Sequence, residues 1–258
     1  MILAVDIGNT NIVLGFFDGE KLLNECRLST SANDSAEEYA IKLNSILGIC
    51  NINKDDIEGS VLSSVVPPLN RTVSKALMLI TGKKPIVVGP GVKTGLNIKI
   101  NNPAELGADM VVGAVASIAK YPCPQILFDL GTATTASVID SNGCFLGGAI
   151  LCGVKTSLNA LASSTAQLPL IEIMAPESAI GTNTVDSMRS GTVFGAAAMV
   201  DGFVKRFEKE LGQKATVIVT GGLGRIISQE CESDVIYDQN LLLDGLRIVY
   251  EKNTQEKK

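Results

Sequence analysis

Gln125-Ile-Leu-Phe-Asp129-Leu-Gly131-Thr132-Ala-Thr-Thr135 decides the fold. An apolar run of strand length (Gln125 to Phe128) ends in a carboxylate, a turn glycine and three hydroxyls. Gly131 lets the backbone turn close to a ligand. The hydroxyls and successive N–H groups can donate to phosphoryl oxygens, while Asp129 can hold a cation. A second copy opens the chain as Ile2-Leu-Ala-Val-Asp6-Ile-Gly8-Asn9-Thr10-Asn11, with the same order of apolar strand, Asp, one residue, Gly and a polar run. One such loop is weak evidence, since an Asp at a strand end also serves as a turn or cap residue. Two at equivalent strand ends point to ligand binding.

The likeness between the two copies extends past the loops. At the N-terminus, strands are expected at Ile2 to Asp6, Ile12 to Phe17 and Lys21 to Ser29, the last two joined through Asp18-Gly19, a hairpin signal. After Asp129 come a strand near Ala136 to Ile139, the turn Asp140-Ser-Asn-Gly143, and a strand Cys144 to Ile150. The repeat predicts a duplication with a boundary near residue 120, giving domains 1–119 and 120–258. Apolar spacing places helices at Asp34 to Leu47, Asn70 to Ile80, Val154 to Ala166 and Ser187 to Leu211. Strands are expected at Asp56 to Val66, ending in Pro67-Pro68, and at Pro85 to Val88. Asn102-Pro103 reads as cap and first residue of a helix to Ala119, with Asp109 in its N-terminal half among small apolar residues. Thr220-Gly221-Gly222 closes a β-branched strand and leaves backbone open to a base or ribose, a weak signal alone. The charged tail Glu251 to Lys258 is expected to fray.

Composition limits the chemistry. The chain has 258 residues, 46% hydrophobic and 4% aromatic, as expected of a compact soluble α/β protein long enough for two cores. No uncharged apolar run approaches the roughly 18–20 residues of a membrane span, and Asp6 interrupts the first one without a basic flank; the expectation is no signal peptide, no membrane and a cytoplasmic location. A formal charge of −5 without basic clusters argues against nucleic acid as partner. The six cysteines are far apart in sequence with no C-x-x-C pair, so reduced, structural thiols are expected. Histidine is absent, which leaves proton transfer to a carboxylate, Lys, Tyr or Cys.

The duplicated pattern with a late Thr-Gly-Gly resembles the acetate and sugar kinase, Hsp70 and actin superfamily: an α/β fold of two duplicated ribonuclease H-like (actin-like ATPase) domains with a nucleotide cleft between them. Asp6-Ile-Gly-Asn-Thr-Asn, Gly107-Ala-Asp109, Asp129-Leu-Gly-Thr-Ala-Thr, Gly147-Gly-Ala-Ile, Ser157-Leu-x-Ala-Leu, Thr165-Ala-x-Leu-Pro169, Ile180-Gly-x-Asn-Thr184 and Thr220-Gly-Gly222 together resemble the type III pantothenate kinases across nearly the whole chain. The resemblance implies ATP-dependent phosphorylation of pantothenate, the first step toward coenzyme A, by a homodimer using Mg2+ and a monovalent cation, K+ or NH4+. It implies ATP contacts from Asp6, Gly8, Asn9, Thr10, Asn11, Gly131, Thr132, Gly221 and Gly222, and metal ligation by Asp129 and Asp6. It places pantothenate against Gly107, Ala108, Asp109, Met110 and Thr184, with Asp109 as general base. On its own, Asp109 would equally read as a first-turn acid complementing a helix dipole.

The chain departs from the family pattern at Met110, where Arg is usual, at Ile100, where Tyr is usual, and at Cys152, where Pro is usual. An Arg is a bidentate carboxylate anchor that Met does not replace, leaving open another basic group such as Lys99. A second reading is therefore a nucleotide-binding homologue with an altered acceptor, or without turnover and in a regulatory role. A chaperone or filament ATPase is disfavoured, because 258 residues do not hold the insertions those proteins carry.

Overall fold

The chain's structure, a computed structural model, describes residues 1–254. In chain order the first elements are β1 (Ile2–Ile7), β2 (Asn11–Asp18), β3 (Lys21–Ser29), α1 (Ala36–Ile49), β4 (Gly59–Ser64), α2 (Pro67–Thr81), β5 (Ile86–Val87) and β6 (Asn97–Ile98). They continue with α3 (Ala108–Lys120), β7 (Gln125–Leu130), β8 (Ala133–Ile139), β9 (Cys144–Cys152), α4 (Val154–Ser163) and α5 (Thr184–Leu211). The last are β10 (Thr216–Thr220), α6 (Gly224–Ser228), β11 (Val235–Tyr237) and α7 (Leu241–Thr254). Among the described residues no helix is long and apolar enough to cross a membrane.

The chain divides into two compact units. The first comprises Met1–Leu96, Asn102–Ala116 and the segment from Leu241; the second comprises Asn97–Asn101 and Ser117–Asn240. The sequence boundary at residue 119/120 is corrected in this respect, since α7 returns to the first unit. The cause is packing: α7 lies on β1 and β4, and a Cβ on Gly245 would come within 2.0 Å of the Val112 carbonyl oxygen. Glycine alone allows that approach.

In the first unit the sheet order is β3-β2-β1-β4-β5, antiparallel through β1, β2 and β3 and parallel from β1 to β4 and β5. The alternation of β1 sends Leu3, Val5 and Ile7 into a core with Tyr39 and Leu43 of α1 and Val73 and Leu77 of α2. In the second unit β9-β8-β7-β10-β11 repeats the same order and sense, with β6 added beside β9. Ile126, Phe128 and Leu130 of β7 there meet Val193, Ala197 and Val200 of α5.

Several boundaries differ from the sequence expectation. The two-residue turn between β2 and β3 is Gly19-Glu20, with Asp18 paired to Lys21 and Gly19 at φ 55°. Pro67 and Pro68 begin α2 rather than end a strand, because the first helical positions need no N–H donor. Asn102 caps a 3-10 turn, Pro103–Glu105, and α3 starts only at Ala108, so Asp109 stands in its first turn. Glu251 to Thr254 complete α7; the rest of the tail, 255–258, lies outside the described residues. The elements β6, α6, β11 and α7 were not expected from the sequence.

Candidate active site

The first-unit site begins with the pleat of β1. Asp6 shares parity with Ile2 and Ala4, so it points away from the α1/α2 core, on the side opposite Leu3, Val5 and Ile7. Parallel pairing puts Asp6 in register with Ser63 of β4, whose hydroxyl donates to Asp6 Oδ1. Ser63 is fully buried. Burial raises the Asp6 carboxyl to about 6, the Ser63 hydrogen bond opposes the rise, and the negative charge of Asp109 adds to it.

After Asp6 the chain turns tightly. The Gly8 N–H donates to the Asn11 carbonyl at 2.9 Å, and a Cβ on Gly8 would stand 3.1 Å from that oxygen. The end of β3 clamps the loop, for the Thr30 hydroxyl donates to the Gly8 carbonyl at 2.7 Å and the Thr30 N–H to the Thr10 carbonyl at 3.0 Å. Asn9 and Thr10 are left exposed at the tip, and Asn11 begins β2.

Asp109 is set by its neighbours on α3. The Met110 N–H donates to Asp109 Oδ1 at 2.8 Å. A Cβ on Gly107 would stand 2.5 Å from the same oxygen, so the missing side chain at 107 makes room for the carboxylate. Burial pushes the Asp109 carboxyl above its ordinary value, against the pull of the Met110 N–H and its own N–H. Asp6 and Asp109 therefore lie close enough for the charge of one to act on the other. A cation beside Asp6 would relieve both burial and repulsion, and magnesium is commonly held by one or two carboxylates plus phosphate oxygens. Among the described residues there is no cluster of three or more acidic, cysteine or histidine ligands, so a metal here would draw its remaining ligands from phosphate and water.

In the second unit the same order recurs. Thr220 of β10 pairs in register with Asp129 of β7. Gly221, at φ 93°, passes so near that a Cβ would come 2.5 Å from Asp129 Oδ1 and 2.7 Å from the Leu130 nitrogen. By contrast, a Cβ on Gly222 would meet nothing within 4 Å, which leaves that backbone face open. The Gly131 N–H donates to the Ala133 carbonyl at 3.1 Å. The Thr132 carbonyl accepts from the Gly153 N–H at 3.2 Å and from the Thr156 hydroxyl at 2.9 Å, which ties the loop to the start of α4.

Thr184 is the first residue of α5, behind the cap Asn183, whose side chain accepts from the Asp186 N–H at 3.0 Å. It lines a cavity of about 830 Å³ in the second unit with Cys152, Ser157, Leu161, Gly181 and Met188. Lys99 is engaged elsewhere, paired with Asp140 at 3.2 Å in the second unit. Ser63 and Thr30 were missed in the sequence; the available signal for Ser63 was a pair of serines ending the apolar strand next to β1.

Two duplicated α/β units, each presenting a strand-Asp-x-Gly loop, define a fold of the actin-like ATPase class. Solved structures agree on the fold. An activator of 2-hydroxyisocaproyl-CoA dehydratase from Clostridium difficile, with bound ADPNP, aligns with a TM-score of 0.56 at 14% identity, covering 99% of this chain and 96% of that one. A ROK hexokinase from Thermus thermophilus aligns with a TM-score of 0.52 at 13% identity, over 97% and 98% of the two chains. The type III pantothenate kinase family model matches residues 2–206. A type III pantothenate kinase from Exiguobacterium sibiricum is 49% identical over 253 residues, 98% of this chain and 100% of that protein. The chain belongs to the type III pantothenate kinase family.

Proposed function

We propose that the chain transfers the γ-phosphoryl group of ATP to the terminal hydroxyl of pantothenate, the first step toward coenzyme A. The observation that carries this reading is the juxtaposition of Asp109 with Asp6 in the first unit, where each carboxyl is partly buried and the charge of Asp109 reaches Asp6. This supports a reading in which the phosphate loop and a carboxylate of raised basicity share one neighbourhood. Family membership supplies the substrate.

In this mechanism the hydroxyl of pantothenate gives its proton to Asp109 as it attacks phosphorus. A carboxylate held above its ordinary pKa is a better base than an exposed one, and it needs no histidine. Asp6, held by Ser63, takes the divalent cation; that ion, when bound, supplies neutralisation of phosphate charge. The backbone of Gly8 to Asn11, Gly131 and Thr132, and the open face of Gly221-Gly222 receive ATP. Asp129 ligates the monovalent cation, K+ or NH4+. Gly107, Ala108, Met110 and Thr184 contact pantothenate, with Met110 giving an apolar rather than a bidentate contact. The working form is a cytoplasmic homodimer, supported by Gly191 and Gly195 on α5, where a Cβ would meet nothing within 4 Å.

The test is ADP release with Mg-ATP in the presence and absence of pantothenate, with the product identified by mass as phosphopantothenate. Pantothenate-dependent release is expected. ADP release indifferent to pantothenate, or none, rejects the acceptor.

A further inference from the structure

We propose that Cys26 and Cys50 are a reversible disulfide site that tethers the edge strand of the first sheet to the end of α1. Their sulfurs already stand 3.3 Å apart. Cys26 lies on β3, opposite Leu14 of β2, and β3 is an edge strand held by hydrogen bonds on one side only. Cys50 is the residue that ends α1, its N–H donating to the Ile46 carbonyl at 2.9 Å. Both side chains pack against the first-unit core, yet both stay partly exposed, so a small oxidant reaches them while the backbone around them is fixed.

The pair rests in the reduced form. Burial, the hydrogen bond with Cys50 and the charge of Glu25 push the Cys26 thiol up to about 11. A thiolate of this kind is scarce near neutrality, so the pair does not react as a general nucleophile. Its advantage is proximity. One thiolate attacks hydrogen peroxide, the O–O bond breaks, and a sulfenic acid forms as hydroxide leaves and takes up the proton that the thiol released, giving water. The second sulfur then attacks the sulfenic sulfur, loses its proton and expels the hydroxyl as a second water. The protein has given up two electrons and two hydrogens, the peroxide has been reduced, and a dithiol reverses the step by exchange.

The experiment treats the full chain with hydrogen peroxide, blocks remaining thiols with N-ethylmaleimide and maps tryptic peptides. Peptides 22–27 and 43–54, each carrying one of the two cysteines, are expected as one linked species within a single chain. Dithiothreitol is expected to separate them. Cys26→Ser and Cys50→Ser should each abolish the link, and two partly exposed positions give two chances of a folded variant. Closing a loop of this length should also raise Tm in the oxidised wild type by roughly 5 °C, an increment absent from both variants. Separate peptides under conditions that oxidise the exposed Cys152, or a link found only between chains, overturn the site. A link without any rise in Tm overturns the tether.

Discussion

At the residue scale Asp6 bears on stability and both carboxylates bear on activity. Asp6 is raised to about 6 chiefly by burial, so its ionised form is disfavoured in the folded state. An acid with a raised folded pKa favours folding at low pH, and that contribution is lost as pH rises from about 4 to about 6. In the absence of nucleotide and divalent cation, Asp6→Asn should therefore melt higher than the parent at pH 7, by the equivalent of about 1–2 kcal/mol after screening, and show no such gain at pH 4. The same variant should lose turnover, because the amide no longer neutralises a cation. Differential scanning fluorimetry across pH checks the first half, and a gain that grows toward acid pH would refute the sign. For Asp109→Asn, shape is kept and the basic oxygen removed. Turnover should fall roughly a hundredfold or more while nucleotide affinity persists. The parent's acid limb should lie above the ordinary carboxylate range and vanish in the variant, as read from kcat against pH. From the residues alone Asp109 was visible only as an acid on an apolar helix, and its role as base came from the family resemblance. Its effect on Asp6 comes from two segments about a hundred residues apart in the chain, which spacing does not encode.

At the element scale, the turn after β10 contains two glycines with different duties. Gly221→Ala places a Cβ at φ 93°, 2.5 Å from Asp129 Oδ1 and against the Leu130 backbone, so strain is unavoidable. Tm should drop by several degrees. Gly222→Ala meets no protein atom within 4 Å, so Tm should stay within about 1 °C while the KM for ATP rises several-fold if nucleotide lies on that face. Equal loss of Tm in both variants would contradict this division. Read in sequence, these two glycines share a single role, because a Gly-Gly pair does not say which member the fold itself requires. Elements with strong alternation or turn chemistry, such as β3 and β7, were legible almost to the residue. Those with mixed patterns were not. β6 and β11 are two and three residues long and hold their place through pairing to a neighbour. α7 went unread because its apolar positions are interrupted by Asp244, Gly245 and Arg247, and the need for Gly245 arises only from contact with Val112.

At the scale of the whole molecule, the duplication was legible because two Asp-x-Gly loops follow two strands of the same register and sense. The return of α7 to the first unit was not, since a linear boundary cannot describe a chain that leaves a unit and comes back. What the single chain leaves uncovered points to its assembly. In the second unit Ile150, Leu170 and Ile180 are each more than 70% exposed. The cavity between α4 and α5 is lined by Leu158, Leu161, Met188 and Met199, and Gly191 and Gly195 present bare backbone to it. Apolar surface gathered in this way on one unit is usual for a face that meets a partner, and small residues allow a second helix to approach closely. The native species should therefore have twice the mass of the 27.1 kDa chain. Gly195→Arg separates folding from association, because a Cβ at that position meets no atom of its own chain within 4 Å and the residue is exposed. The variant should keep the parent's circular dichroism and run as a 27.1 kDa species by light scattering at micromolar concentration. Thr184 lines the same cavity, so a monomeric variant should also show a raised KM for pantothenate with the affinity for ATP retained. A parent that is itself monomeric at that concentration removes the dimer, and a variant that stays dimeric moves the interface off α5.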